Sequence, residues 1–142
     1  MKLNLITYGK GKKFISSKFT PIENIPFFVK PKGGLWASPV NSVCGWREWC
    51  KIENFGDLSN NFTFGFDGNV FVIDSISSAT SMPWIEYHNN LMNSPDFEKM
   101  LEQGYDAIYL TEKGQKETRF STPSLYGWDC ECVLIMNPKC IS

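Results

Sequence analysis

Residues 61–66, Asn-Phe-Thr-Phe-Gly-Phe, carry an aromatic ring at every second position. Side chains alternate across a strand, so this spacing sets three phenylalanines on one face and polar or small residues on the other. Such a face needs a second layer to cover it, which commits the chain to a sheet with a packed core. Asp67-Gly68-Asn69 has the chemistry of a tight turn, and residues 70–74, Val-Phe-Val-Ile-Asp, return to an apolar run, so the spacing predicts two strands about a hairpin-type turn. Further strands are expected over 3–8, 34–38 and 106–110, and over 128–136, which ends in the apolar run Val133-Leu134-Ile135-Met136 before Asn137-Pro138 stops it.

Helices are fewer. Residues 42–54 can form one, with Ser42 as N-cap and Trp46, Trp49 and Cys50 at helical spacing. A second is expected over 94–103, with Ser94 as N-cap, Pro95 at the first helical position, Glu98 in the first turn and Gly104 as the stop. Residues 19–32 contain three prolines and read as an irregular loop, and Pro83 splits 78–91 into a segment of no clear period. Residues 111–124 are polar and read as an exposed loop. Six or seven strands with two or three helices, not in βαβ alternation, make an α+β domain, and one domain over 1–142 suits the length.

The net charge of −1 gives no broad electrostatic footprint for nucleic acid, although lysines gather in the first third at Lys10, Lys12, Lys13, Lys18, Lys30 and Lys32. No apolar run approaches the ~20 residues of a membrane span, and the start, Met1 to Ile6, is too polar for a signal peptide. A cytoplasmic setting is the expectation, with Cys44, Cys50, Cys130, Cys132 and Cys140 as reduced, buried thiols. Their spacing suits no zinc knuckle, so no metal is expected.

The densest stretch is Gly33-Gly34-Leu35-Trp36-Ala37-Ser38-Pro39, followed by Gly45-Trp46-Arg47-Glu48-Trp49-Cys50. Paired glycines allow sharp turns and close approach to the backbone. Large rings beside glycine and small hydroxyl residues suit a slot for a flat ring, and they equally suit an aromatic core.

In order along nearly the whole chain, four segments resemble the ADP-ribosyltransferase superfamily, which includes the poly-ADP-ribose polymerases. The first is Thr7-Tyr8-Gly9-Lys10, a strand running into a glycine turn. The second is Gly33-Gly34-Leu35-Trp36-Ala37-Ser38, the third Asp67-Gly68-Asn69-Val70-Phe71-Val72-Ile73-Asp74-Ser75. The fourth is Gly104-Tyr105-Asp106-Ala107-Ile108, then Glu131 through Ile141. The resemblance implies a split core of two small sheets with flanking helices, and NAD bound as substrate in the cleft between them. It implies the Gly9 backbone at the nicotinamide amide, Trp36 or Trp46 as the stacking wall beside Gly34, and Ser38 or Ser42 bonding the amide. Lys10 or Arg119 would meet the pyrophosphate, and Tyr8 a ribose hydroxyl. Glu131, with Asp129 as its rival, would stabilise the cationic sugar as the nicotinamide bond breaks.

Two positions depart from the family pattern. Tyr8 stands where a His or Arg is expected, and strict register puts Cys132, not Glu131, at the acidic position, on the opposite face of the strand. His88, the one histidine, matches no motif. The implied function is transfer of ADP-ribose from NAD to a host macromolecule, a protein before a nucleic acid, by a phage or mobile-element protein. The alternative is the same scaffold as a binding protein that blocks a host defence factor or captures a nucleotide signal. The transferase reading needs Glu131 or Asp129 to point into an aromatic-lined cleft, whereas the binding reading needs the cleft but no aimed carboxylate.

Overall fold

The computed structural model describes residues 1–42, 45–53, 58–87 and 92–142, without the side chains of Ile52, Glu53 and Met92. His88 and Cys44 lie outside the described residues, as do residues 88–91 of the ambiguous stretch 78–91, whose earlier part forms the end of a helix and a strand. The fold is α+β: a mixed six-stranded sheet, a separate two-stranded sheet and four short α-helices.

The chain enters the six-stranded sheet with β1, Lys2–Tyr8, and returns with β2, Leu35–Pro39, after a long loop. Helix α1, Trp46–Glu53, leads to β3, Asn61–Asp67, and β4, Val70–Ile73. Helix α2, Ile76–Ser81, precedes the two-stranded sheet of β5, Trp84–Tyr87, and β6, Met92–Pro95. Helix α3, Phe97–Glu102, strand β7, Ala107–Leu110, helix α4, Glu112–Thr118, and strand β8, Cys132–Ile135, complete the order.

The alternating phenylalanines behave as their spacing requires. Phe62, Phe64 and Phe66 of β3 are buried with Leu5, Leu35, Ala37, Val133 and Ile135. The hairpin expected over 61–74 does not form. β3 pairs with β1, β4 pairs in parallel with β7, and the sheet order is β3-β1-β2-β8-β7-β4. The turn residues serve long-range contacts instead: the Gly68 N–H donates to the Met1 carbonyl, and the Asn69 N–H to Asp106 Oδ2 at 2.8 Å. Only Gly68 and Asn69 separate β3 and β4, so the two outermost strands of the twisted sheet are joined at that corner.

Strand β2 is where the sheet divides. Its end pairs antiparallel with β1, Pro39 opposite Leu5 and Ser38 opposite Ile6. Its beginning pairs antiparallel with β8, Leu35 to Ala37 opposite Ile135 to Val133. Beyond Ile6 the β1 backbone leaves the ladder, and the Thr7 hydroxyl donates to the Trp36 carbonyl at 2.7 Å across the gap. The sheet therefore opens beside Trp36, and this opening sets the site described below.

Three helix expectations are corrected. Helix α1 starts at Trp46, and its first N–H groups are met by the Ser38 hydroxyl at 2.9 Å and by Glu48 Oε2, which accepts from Gly45, so Ser42 is not its cap. Helix α3 is capped by Asp96, which accepts from Lys99 N, while Ser94 and Pro95 belong to β6. The stretch 111–124 is not all loop: Thr111 caps α4, whose Glu112–Lys116 and Lys113–Glu117 pairs lie four residues apart on its outer surface. This helix buries Gly114 and Thr118 rather than an apolar stripe, so hydrophobic periodicity does not reveal it. Helix α2 is likewise set by hydroxyl chemistry, a reciprocal capping box between Ser75 and Ser78.

The paired glycines serve the fold. Both have positive φ, and a Cβ on Gly33 would come within 2.2 Å of the Pro21 carbonyl oxygen. One on Gly34 would meet Leu134 Cδ1 at 2.7 Å and Ile22 Cδ1 at 2.8 Å. They let the long loop, through residues 20–22, lie flat against the entry to β2.

Candidate functional site

A hollow of about 220 Å³ opens where β1 and β8 part from β2. Strand β1 contributes Ile6, Thr7 and Tyr8, and β2 contributes Trp36 and Ala37. Cys130, Cys132, Trp128 and Asp129 close it from the segment entering β8, Trp46 stands at the start of α1, and Lys10 and Lys30 come from the long loop. Bulky residues at a break in a ladder cannot all interdigitate, which leaves a cavity here.

The aromatic walls are braced from behind. Trp36 meets Trp128 edge to face, centroids 4.8 Å apart at 84°, and Trp128 lies parallel to Phe97. Trp46 stacks on Trp49 of the same helix at 4.9 Å. Trp128 is buried, and its indole N–H donates to the Val29 carbonyl at 2.8 Å, which pins the loop beside the opening. The Lys30 ammonium lies 5.7 Å from the Trp36 ring centroid, within cation–π range. Burial pushes the Tyr8 phenol above its ordinary value, with Arg47 opposing and Glu48 and Cys50 adding to the rise, so Tyr8 is a neutral hydroxyl at the wall. Cys132 is raised by its hydrogen bond to Cys130 and by burial, so it too is neutral, a soft apolar lining at ordinary pH.

The expected site residues divide. Tyr8, Lys10, Trp36, Trp46 and Asp129 come together around the hollow. Glu131 does not. Cys130 and Cys132 face the hollow, so Glu131 between them faces the other way. Its Oε2 accepts from the Tyr109 hydroxyl at 2.5 Å, and it borders an open groove with Thr111, Glu112, Lys113, Lys116 and Glu117. Asp129 and Glu131 thus share no strand face, because Asp129 precedes β8. Among the described residues Asp129 is the one carboxylate on the hollow's wall, 3.8 Å from the Arg119 guanidinium, which itself rests on the Tyr126 ring.

Other expected ligands are committed elsewhere. The Gly9 N–H donates to the Asn60 carbonyl at 2.7 Å. Gly34 packs against Ile22 and Leu134. The buried Ser38 hydroxyl accepts from Trp46 N–H and donates to the Glu131 carbonyl, both at 2.9 Å, tying α1, β2 and β8 together. Ser42 nestles against Gly45, where a Cβ would sit 2.0 Å from its Oγ. Sequence reasoning passed over Trp128 and Lys30 as site residues. The indole of Trp128 is a signal readable from the chain, whereas Lys30 is brought in only by the path of the loop.

No helix among the described residues is long and apolar enough to cross a membrane, and no group of three or more His, Cys, Asp or Glu side chains there is placed to hold a metal ion. No family model, curated protein or solved structure matches this chain.

Proposed function

We propose that the hollow binds the nicotinamide end of NAD and that the protein is an ADP-ribosyltransferase-like binding module that captures the nucleotide. The carrying observation is an opening in the sheet with indoles on its wall and, among the described residues, two lysines and a single carboxylate. At about 220 Å³ it is smaller than the roughly 300–1,000 Å³ of ordinary ligand pockets. It therefore takes one flat ring and part of its sugar, with the phosphates outside near Lys10 and Lys30. Tyr8 supplies a hydroxyl on the wall for the sugar. Capture is favoured over turnover because Glu131 faces Tyr109 and the far groove rather than the ring slot.

A second reading has one specific support: Asp129 does line the hollow. In that reading Asp129 stabilises the positive charge that develops on the sugar, and ADP-ribose passes to a macromolecule. Incubation with labelled NAD and a cell lysate decides between them. Saturable quenching of indole fluorescence by NAD without transfer of label supports capture. Label transfer that survives Glu131→Gln and disappears in Asp129→Asn supports the transferase. Absence of saturable NAD binding overturns both.

A further inference from the structure

The outer side of the ring slot is closed by the loop rather than by the sheet. The backbone there is fixed: Trp128 holds the Val29 carbonyl, and Pro31 is buried on the other side of Lys30. Lys30 itself is exposed, and its ammonium lies over the ring of Trp36. A long flexible stem on a fixed backbone moves its charge several ångströms without disturbing the fold. A flat ring entering to stack on Trp36 meets that ammonium first. A phosphate attached to the ring offers the ammonium a better partner than an indole face, since a charge-assisted contact outweighs an exposed cation–π contact.

We propose that Lys30 is the specificity gate of this slot. It covers Trp36 when no anion is present and turns to the ligand's phosphate when one arrives, so the slot selects phosphate-bearing rings over bare rings. The gate rests on the nucleotide reading of the hollow for its choice of ring. Lys10, which also borders the hollow, has no ring beneath it among the described contacts and acts only as a second cation.

The test compares nicotinamide, nicotinamide mononucleotide and NAD by indole fluorescence at fixed ionic strength. Lys30→Ala uncovers Trp36 and is expected to bind nicotinamide about 2–5-fold more tightly. The same change is expected to weaken the mononucleotide and NAD by about 3–10-fold. Lys30→Arg keeps mononucleotide affinity and weakens nicotinamide, because a guanidinium lies more firmly on an indole. Lys10→Ala weakens the phosphate-bearing ligands and leaves nicotinamide unchanged. A Lys30→Ala protein in which both ligand classes shift the same way overturns the gate. So does a wild-type protein that binds nicotinamide as tightly as its mononucleotide, and in that case NAD binding alone still upholds the nucleotide reading. If NAD does not bind while Lys30→Ala tightens nicotinamide and weakens the mononucleotide, the gate stands and the NAD reading falls.

Discussion

Trp128→Phe tests the bracing of the hollow most directly. Trp128 is 1% exposed, donates its indole N–H to the Val29 carbonyl at 2.8 Å, and meets Trp36 edge to face. Phenylalanine keeps the ring beside Phe97 but has no N–H. Leaving the Val29 carbonyl without its donor costs about 1 kcal/mol. The smaller side chain leaves a void of roughly 40 Å³, which at about 24 cal/mol per Å³ costs about 1 kcal/mol. Weakening the edge-to-face contact with Trp36 adds about 0.5–1 kcal/mol. The expected total is about 2.5–3 kcal/mol, or roughly 10 °C in Tm for a domain of this size. Urea unfolding followed by circular dichroism measures the first and a thermal scan the second. Trp84→Phe is the matched control: its indole N–H also meets a carbonyl, that of Ala79 at 2.8 Å, but Trp84 does not line the hollow. Both variants should lose stability, and only Trp128→Phe should change affinity for nicotinamide mononucleotide. A Trp128→Phe loss below about 1 kcal/mol, or equal effects of both variants on ligand affinity, refutes the bracing argument.

Three further outcomes follow from the structure. Gly34→Ala forces a Cβ to 2.7 Å from Leu134 Cδ1 at a φ of +75°, so a loss of about 3–5 kcal/mol is expected in urea unfolding, against about 1–2 kcal/mol at Gly104, where a Cβ meets open space and only the positive φ costs. Ser38→Ala strips the Trp46 N–H and the Glu131 carbonyl of their shared partner at a buried position, with an expected cost of about 2–3 kcal/mol and weaker ligand binding through a displaced Trp46, read by the same unfolding and quenching assays. Asp106 is pulled up by burial, but hydrogen bonds from Asn69 N–H, Asn137 and the Cys140 thiol outweigh that and hold its carboxyl below the usual value. A depressed folded-state pKa contributes stability above the unfolded value of ~3.9 and loses it as pH falls through the folded value. Asp106→Asn should therefore cost stability at neutral pH and converge with the wild type on acidification, and a gap that stays constant down to pH 2 contradicts this.

The strands were legible where alternation was strict. Residues 3–8 and 61–66 fall on β1 and β3, because a buried face imposes a period of two that the chain displays openly, and the apolar runs 34–38 and 106–110 overlap β2 and β7 to within a residue. Pairing was not legible. Asp67-Gly68-Asn69 has every mark of a hairpin, yet the preference of a turn is worth less than the burial gained when β4 lies along β7 and fills the core with Ile73. Helices α2 and α4 escaped notice because they are fastened by Ser75, Ser78, Thr111 and ion pairs, and they bury alanine, glycine and threonine instead of large side chains. At the site, the rings and Tyr8 were recognisable by type. The direction of Glu131 was fixed by its neighbour: with Cys132 inward, strand alternation leaves Glu131 no route to the hollow.

That alternation also explains how one short segment serves two surfaces. From Trp128 to Cys132 the chain passes along the opening, and its side chains fall on both sides of it. Trp128, Asp129, Cys130 and Cys132 give the hollow a ring, a charge and two thiols. Glu131 gives the opposite groove a carboxylate and, through its backbone carbonyl, anchors Ser38 and with it the first turn of α1. The Tyr109 phenol is driven up by burial and by the Glu131 carboxylate that it faces, so it remains a donor throughout the accessible pH range and keeps Glu131 turned outward. Reversing the roles would require a one-residue shift of β8 against β2 and β7. That shift would send Val133 and Ile135 into the core that holds Leu134, and Leu134 into theirs, misfitting both packed faces. Forcing a side chain into a packed core that does not fit it costs about 1–3 kcal/mol, so three such exchanges cost more than a contact to a small ligand returns. Ligand binding therefore cannot recruit Glu131 by slipping the strand. Any chemistry in the hollow has to be done by the groups already on its wall, with Asp129 its only acid among the described residues.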